Sequence, residues 1–154
     1  MAEFVLERKQ VVDAEVGRLF DFFADAKNLE VLTPPELNFK IITPDPIVIQ
    51  KGTIIDYQLR LRGFPITWKT EITQWNPPYD FVDTALYSPY KQWIHLHKFS
   101  VSEDGKTVME DIVRYRLPLE PLGDLAHFYV KSELNYIFEY RRKTVEKLFG
   151  SERI

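Results

Sequence analysis

The C-terminal stretch from about Pro121 to Phe149 limits most sharply what this chain can fold into. It reads as one long helix. On a wheel of about 100° per residue, Leu122, Ala126, Tyr129, Val130, Leu134, Ile137 and Leu148 gather on one side. Asp124, Lys131, Asn135, Glu139, Arg142 and Glu146 gather opposite. At about 1.5 Å per residue such a helix runs on the order of 40 Å. An apolar stripe of that length must be buried against another element, and the rest of the chain offers one kind of partner, a sheet.

The sheet is legible in the segments upstream. FVLERKQVV (4–12) reads as a first strand, and Asp13 stands where an N-cap would, ahead of Val16, Leu19, Phe20 and Phe23 at helical spacing. A second short helix around AKNLEVL is stopped by Thr33-Pro34-Pro35. LNFKII (37–42), TIIDYQLRL (53–61), ITWKTEITQW (66–75), YDFVDTALY (79–87), KQWIHLHKFSV (91–101) and KTVMEDIVRYRL (106–117) follow as strands, with Gly63 and Pro65 bracketing one turn and Asn76-Pro77-Pro78 forming another break. Short links between neighbouring strands imply an antiparallel meander. The expectation is α+β: one domain over 1–154, with a curved antiparallel sheet of about six or seven strands, two short helices after the first strand, and a long C-terminal helix across the sheet.

Composition excludes several classes of function. The net charge is −3 and the pI about 5.7, without the basic stripe of a nucleic-acid protein. The short run Arg141-Arg142-Lys143 reads as the solvated end of a helix. The chain has no cysteine, so disulfides and thiolate metal sites are excluded. The charges in MAEFVLERKQ do not resemble a signal peptide. No apolar run approaches the roughly 18 residues of a membrane span, and a cytoplasmic protein is expected.

The stretch KQWIHLHKFS carries the chemistry. As a strand it turns Trp93, His95, His97 and Phe99 to one face. A metal would need a third and usually a fourth ligand beside the two histidines; Asp83, Asp111 or Glu133 could complete a set, but no spacing demands it, and neither metal nor cofactor is expected. Catalysis would need a base, a group that orients it and a proton donor, roles open to His97, Asp111 and Tyr115. No nucleophile elbow or phosphate loop accompanies them. The third reading is the lining of a pocket in which a few polar groups sit within an aromatic wall. Trp68 faces inward on its strand, and Glu133 falls near the middle of the helix's apolar arc, where a carboxylate needs a partner or water.

The element order resembles the helix-grip fold of the START/Bet v 1-like superfamily. The run Phe81-Val82-Asp83, Pro89-Tyr90, Trp93-Ile94-His95-Leu96-His97-Lys98-Phe99, and Asp111 with Tyr115 before Leu117-Pro118 is similar to bacterial proteins of the SRPBCC, or polyketide cyclase/dehydrase-like, group. Ala85 and Ser88 depart from the Gln and Gly expected in many such proteins. The resemblance implies a cavity between sheet and helix for a hydrophobic or amphipathic small molecule. Trp68, Asp83, Tyr87, Trp93, His95, His97, Phe99, Asp111, Tyr115, Tyr129 and Glu133 are the candidate ligand-binding residues. A cyclase or dehydratase using His97, Asp111 and Tyr115 is the alternative, and a regulatory protein-interaction module is a third.

The link between the last two strands decides whether His97 and Asp111 meet. A two-residue Asp104-Gly105 turn sets His97 against Ile112 and turns Asp111 away. A three-residue loop, Glu103-Asp104-Gly105, places Gly where a left-handed conformation is commonly needed. It pairs Phe99 with Met109, His97 with Asp111, His95 with Val113 and Trp93 with Tyr115. Only that register keeps the aromatic residues on one face, and it predicts His97 and Asp111 as a hydrogen-bonded cross-strand pair with Cβ atoms about 4.5–5.5 Å apart.

Overall fold

A computed structural model describes residues 2–61, 63–119 and 122–152. Strand β1 (Phe4–Val12) leads into helices α1 (Val16–Phe23) and α2 (Asn28–Leu32). Strands β2 (Lys40–Ile41), β3 (Ile54–Leu61), β4 (Phe64–Asn76), β5 (Asp80–Tyr87), β6 (Gln92–Val101) and β7 (Thr107–Arg116) follow in a meander. Helix α3 (His127–Phe149) precedes a two-residue strand, β8 (Ser151–Glu152). The sheet order is β2-β3-β4-β5-β6-β7-β1-β8, and every pairing is antiparallel. This is the helix-grip α+β architecture that the element order implies.

The strands form because period-two alternation puts one apolar set on the inner face. On β6 and β7 it holds up to the exposed end residue Val101: Trp93, His95, His97, Phe99, Thr107, Met109, Asp111, Val113 and Tyr115 are all buried. The register is the one the three-residue loop dictates, with Trp93 opposite Tyr115, His95 opposite Val113, His97 opposite Asp111 and Phe99 opposite Met109. Ser102 N–H donates to Lys106 O at 2.8 Å to close the loop, and Gly105 takes φ +82°, a conformation that costs other residues roughly 1–2 kcal/mol.

The inner face carries two apolar clusters. One, around Phe20, Phe23, Phe81, Phe99 and Val145, lies under α1. The other, around Leu59, Trp68, Trp93, Tyr115, Leu134 and Phe138, lies under α3.

Several boundaries differ from the sequence reading. Pro121, the expected start of the long helix, lies outside the described residues. Leu122–Ala126 is a 3-10 turn, and α3 begins at His127. A 3-10 turn advances about 3.0 residues per turn, so a wheel of α-helical phase run back through it misplaces the stripe. The buried face of α3 is Leu134, Phe138, Arg141 and Val145. Leu122, Tyr129 and Leu148 are exposed instead. Asp13 is not the cap of α1; that position is Glu15, without a side-chain cap. Only Lys40–Ile41 of LNFKII pairs as strand, because Pro35–Leu37 make a 3-10 turn ended by Asn38 at φ 47°.

Candidate functional site

Five polar side chains meet where β5, β6 and β7 pass beneath α3. Asp83 comes from β5, His95 and His97 from β6, Asp111 from β7 and Arg141 from α3. Arg141 Nε donates to Asp111 Oδ2 at 3.2 Å and its Nη2 donates to Oδ1 at 3.1 Å, a bidentate pair. The same Nη2 lies 3.2 Å from His97 Nδ1. A guanidinium has no acceptor to offer, so Nδ1 must present its lone pair and the His97 proton must sit on Nε2. From there it is donated to Asp83 Oδ2 at 2.5 Å. His95 Nε2 in turn donates to Asp111 Oδ1 at 2.8 Å.

The expected hydrogen bond between His97 and Asp111 is therefore corrected. The two residues are directly opposed, but His97 Nδ1 stands 3.7 Å from Asp111 Oδ1. Both imidazoles lean diagonally. His97, opposite Phe81 on β5, reaches Asp83, and His95, opposite Val113 on β7, reaches Asp111. Diagonal neighbours lie within reach of long side chains. The lean also stacks the rings, with Phe81 on His97 at 4.0 Å and 11°, and His97 on His95 at 3.7 Å and 23°.

The electrostatics follow from burial and pairing. Burial works to raise the Asp111 carboxyl, but the Arg141 charge and the His95 hydrogen bond outweigh it and hold the group far below the usual carboxylate range. For Asp83, burial is likewise outweighed by the His97 hydrogen bond, and its carboxyl titrates below its ordinary value. Burial, with His95 alongside, pushes His97 down to about 4 against the pull of Asp83. At neutral pH the cluster thus holds two carboxylates, a guanidinium and a neutral His97.

Asp83, His95 and His97 offer one ligand atom each within 4.8 Å of one another. The donors suit a transition metal, but stacked imidazoles direct their in-plane lone pairs side by side rather than to a common point, and metal–nitrogen bonds near 2.0–2.1 Å require convergence. The His97 Nε2 proton already goes to Asp83. The geometry is that of a hydrogen-bonded network.

Beside the network lies a cavity of about 190 Å³ between sheet and helix. Its wall is aromatic, with Phe39, Tyr57, Trp68, Phe81, Tyr90 and Trp93, and α3 closes it with Leu134, Ile137 and Phe138. Asp83, His95, His97, Arg141, Thr70 and Glu133 form its polar edge.

Of the residues expected to contact a ligand, Trp68, Asp83, Trp93, His95, His97 and Glu133 line this cavity. Asp111 is buried behind His95. Tyr115 lies beneath the wall, its hydroxyl 2.8 Å from His127 Nε2. Phe99 packs against Phe20 and Phe23 in the other cluster. Tyr129 is 44% exposed on the outer turn of α3. Tyr87 is 65% exposed, because a register shift between Lys69 and Thr70 sets it opposite the outward-facing Lys69, on the other face of the sheet. Arg141, expected from the sequence at a solvated helix end, is only 8% exposed. Its 4-3-4 spacing with Leu134, Phe138 and Val145 was the signal that it belonged to the buried face.

No family model matches the chain, and no curated protein matches it. Solved structures do. The Zhui aromatase/cyclase from Streptomyces sp. R1128 superposes with a TM-score of 0.74 at 12% identity, over 94% of this chain and 92% of that one. Protein CV1439 from Chromobacterium violaceum gives 0.73 at 12% identity, over 96% and 99%. The major latex-like protein 151 from Panax ginseng gives 0.66 at 9% identity, over 96% and 97%. The likeness establishes the helix-grip fold, in agreement with the START/Bet v 1-like resemblance of the sequence.

Proposed function

We propose that this protein binds a hydrophobic or amphipathic small molecule in the cavity between sheet and α3. The observation that carries this reading is the cavity itself, an aromatic wall closed by one helix and edged by a few fixed polar groups, the usual composition of a ligand pocket. Calorimetry at several temperatures tests it. An apolar aromatic ligand is expected to bind with a negative heat-capacity change, the marker of apolar burial, and a Leu134→Trp substitution that fills the cavity is expected to abolish the heat. Binding that survives the filled cavity, or affinity that follows ligand charge and ignores apolar size, would refute the reading.

The 2.5 Å contact of His97 with Asp83 at the cavity edge favours a second reading, proton-transfer catalysis of the cyclase or dehydratase kind. Tyr115 and Asp111 do not face the cavity, so such chemistry would rest on His97 and Asp83. Both nitrogens of His97 are engaged, one by Arg141 and one by Asp83. An imidazole so held positions its neighbours rather than taking a proton, and binding is the stronger reading.

A further inference from the structure

The network at the edge of the cavity does not treat its two carboxylates alike. Asp111 accepts from Arg141 Nε and Nη2, and the same guanidinium faces His97 Nδ1. No lysine or arginine among the described residues pairs with Asp83. Burial holds its partner His97 neutral at pH 7. His95 gives its Nε2 proton to Asp111, and its Nδ1 stands 3.8 Å from Asp83 Oδ2, beyond hydrogen-bond range. Asp83 also has the most accessible side chain of the five, 17% against 4% to 9% for the others, and it lines the cavity. Its Oδ2 accepts from His97. Its Oδ1 has only Thr70 Oγ1 at 3.5 Å among the described residues, and the single proton of that hydroxyl has a nearer acceptor in Thr84 O at 3.2 Å. An ionised carboxylate oxygen with lone pairs left over, at the edge of a cavity, asks for a donor from the guest.

The rest of the wall favours the same sign of guest. Glu133, about two turns before Arg141 on α3, is a second carboxylate lining the cavity. Both charges are felt across it. Burial, with the Asp83 charge adding, raises the Tyr57 phenol well above the ordinary tyrosine range, and burial with the Glu133 charge raises that of Tyr90. Tyr57, Trp68, Tyr90 and Trp93 line the cavity as a continuous aromatic wall, with neighbouring centroids 4.9 to 5.9 Å apart. Aromatic faces attract cations. An anion would instead meet like charge in a medium of low dielectric. Taking an ammonium out of water is costly, so the charged end of a cationic guest belongs at the polar edge, on Asp83. An engineered apolar cavity of about 150 Å³ accepts benzene, so about 190 Å³ suits one ring with a short side chain.

We infer, building on the ligand-binding reading above, that the guest is a protonated amine whose ring lies along the aromatic wall and whose ammonium donates to Asp83 Oδ1. Three compounds of equal shape test this: phenethylamine, phenethyl alcohol and propylbenzene, which end in an ammonium, a hydroxyl and a methyl group. The amine, like a lysine side chain, is protonated at pH 7. Hydrocinnamate supplies the opposite charge. Titrated by calorimetry at pH 7, phenethylamine is expected to bind about tenfold more tightly than propylbenzene, the gain of a hydrogen bond to a charged group. Phenethyl alcohol should fall between them and hydrocinnamate should bind most weakly. Asp83→Asn keeps the side-chain shape and removes the charge, so the preference for the amine should vanish, whatever happens to the affinities themselves. Leu134→Trp, which fills the cavity, should abolish amine binding, and it locates the amine in the cavity even if Asp83→Asn fails to fold. Affinity for the alcohol or propylbenzene that equals the amine's, or a preference for hydrocinnamate, would overturn the inference and leave the ligand-binding reading standing. So would an amine preference that survives Asp83→Asn or the filled cavity. If none of the four compounds binds, both readings fall together.

Discussion

Replacing Arg141 with Met is expected to destabilise the protein by about 3–5 kcal/mol, the loss seen when one partner of a buried ion pair is removed. Asp111 is almost wholly buried and receives two hydrogen bonds from this guanidinium. Without it the carboxylate keeps the His95 proton donor alone and must remain charged in an apolar setting or take up a proton. The neighbouring Arg142 provides the contrast. It bonds Glu139 and Glu146 on the outer face of α3, and Arg142→Met is expected to cost no more than about 1 kcal/mol. Urea unfolding of the two variants measures the difference. A second change, Asp111→Leu in the Arg141→Met background, should recover much of the loss, because removing both members of a buried pair is often neutral. Similar losses for Arg141→Met and Arg142→Met would show that Arg141 is not holding a buried charge.

Acidification is expected to weaken the fold progressively from about pH 6.5 downward. His97 has an ordinary pKa of 6.5 and is held at about 4 in the folded protein. Between those values the unfolded chain carries a proton that the folded chain refuses, so stability falls as pH falls, by about 1.4 kcal/mol per pH unit for one proton. Across the whole interval this amounts to something on the order of 3 kcal/mol. His127, lowered by burial, acts in the same direction. Below pH 4 the carboxylates continue the trend: Asp83 and Asp111 titrate below their ordinary values when folded, so the unfolded chain again binds protons first. Unfolding free energies at pH 7, 6, 5 and 4.5 give the slope, which His97→Gln should flatten. A flat profile for the unaltered protein between pH 6.5 and 4.5 would mean that His97 is not held neutral by the fold.

Strand alternation and the Glu103-Asp104-Gly105 loop made the sheet and the β6–β7 register readable residue by residue, because a period of two and a left-handed glycine are local properties. The membership of the network was half readable. Sequence placed His95, His97, Asp83 and Asp111 near one another, but which atom meets which depends on the diagonal lean of the rings, and that lean is set by the stack with Phe81. Arg141 was hidden by its neighbours: a run of three cations reads as a wet surface unless helical phase is followed through Leu134 and Phe138. Tyr87 and Tyr129 were misplaced for a different reason. Alternation carries Tyr87 to the inner face, but a one-residue shift of β5 against β4 turns it out beside Lys69, and helical phase gives the face of Tyr129 but not whether anything covers it.

The polar network binds three strands and a helix with the same few protons, so none of these elements can loosen alone without stranding charge on the others. Amide hydrogens in the middle of β5, β6 and β7 and from Leu134 to Val145 should therefore exchange at one common slow rate, that of global opening. The other side of the cavity is built differently. Ile49 lines it from the segment between β2 and β3, and β2 joins the sheet over only Lys40 and Ile41. Amides from 45 to 49, bracketed by the bonded amides of Thr43 and Gln50, should exchange orders of magnitude sooner, within the native state. On the ligand-binding proposal, a molecule would then enter past this loop while the long helix stays in place.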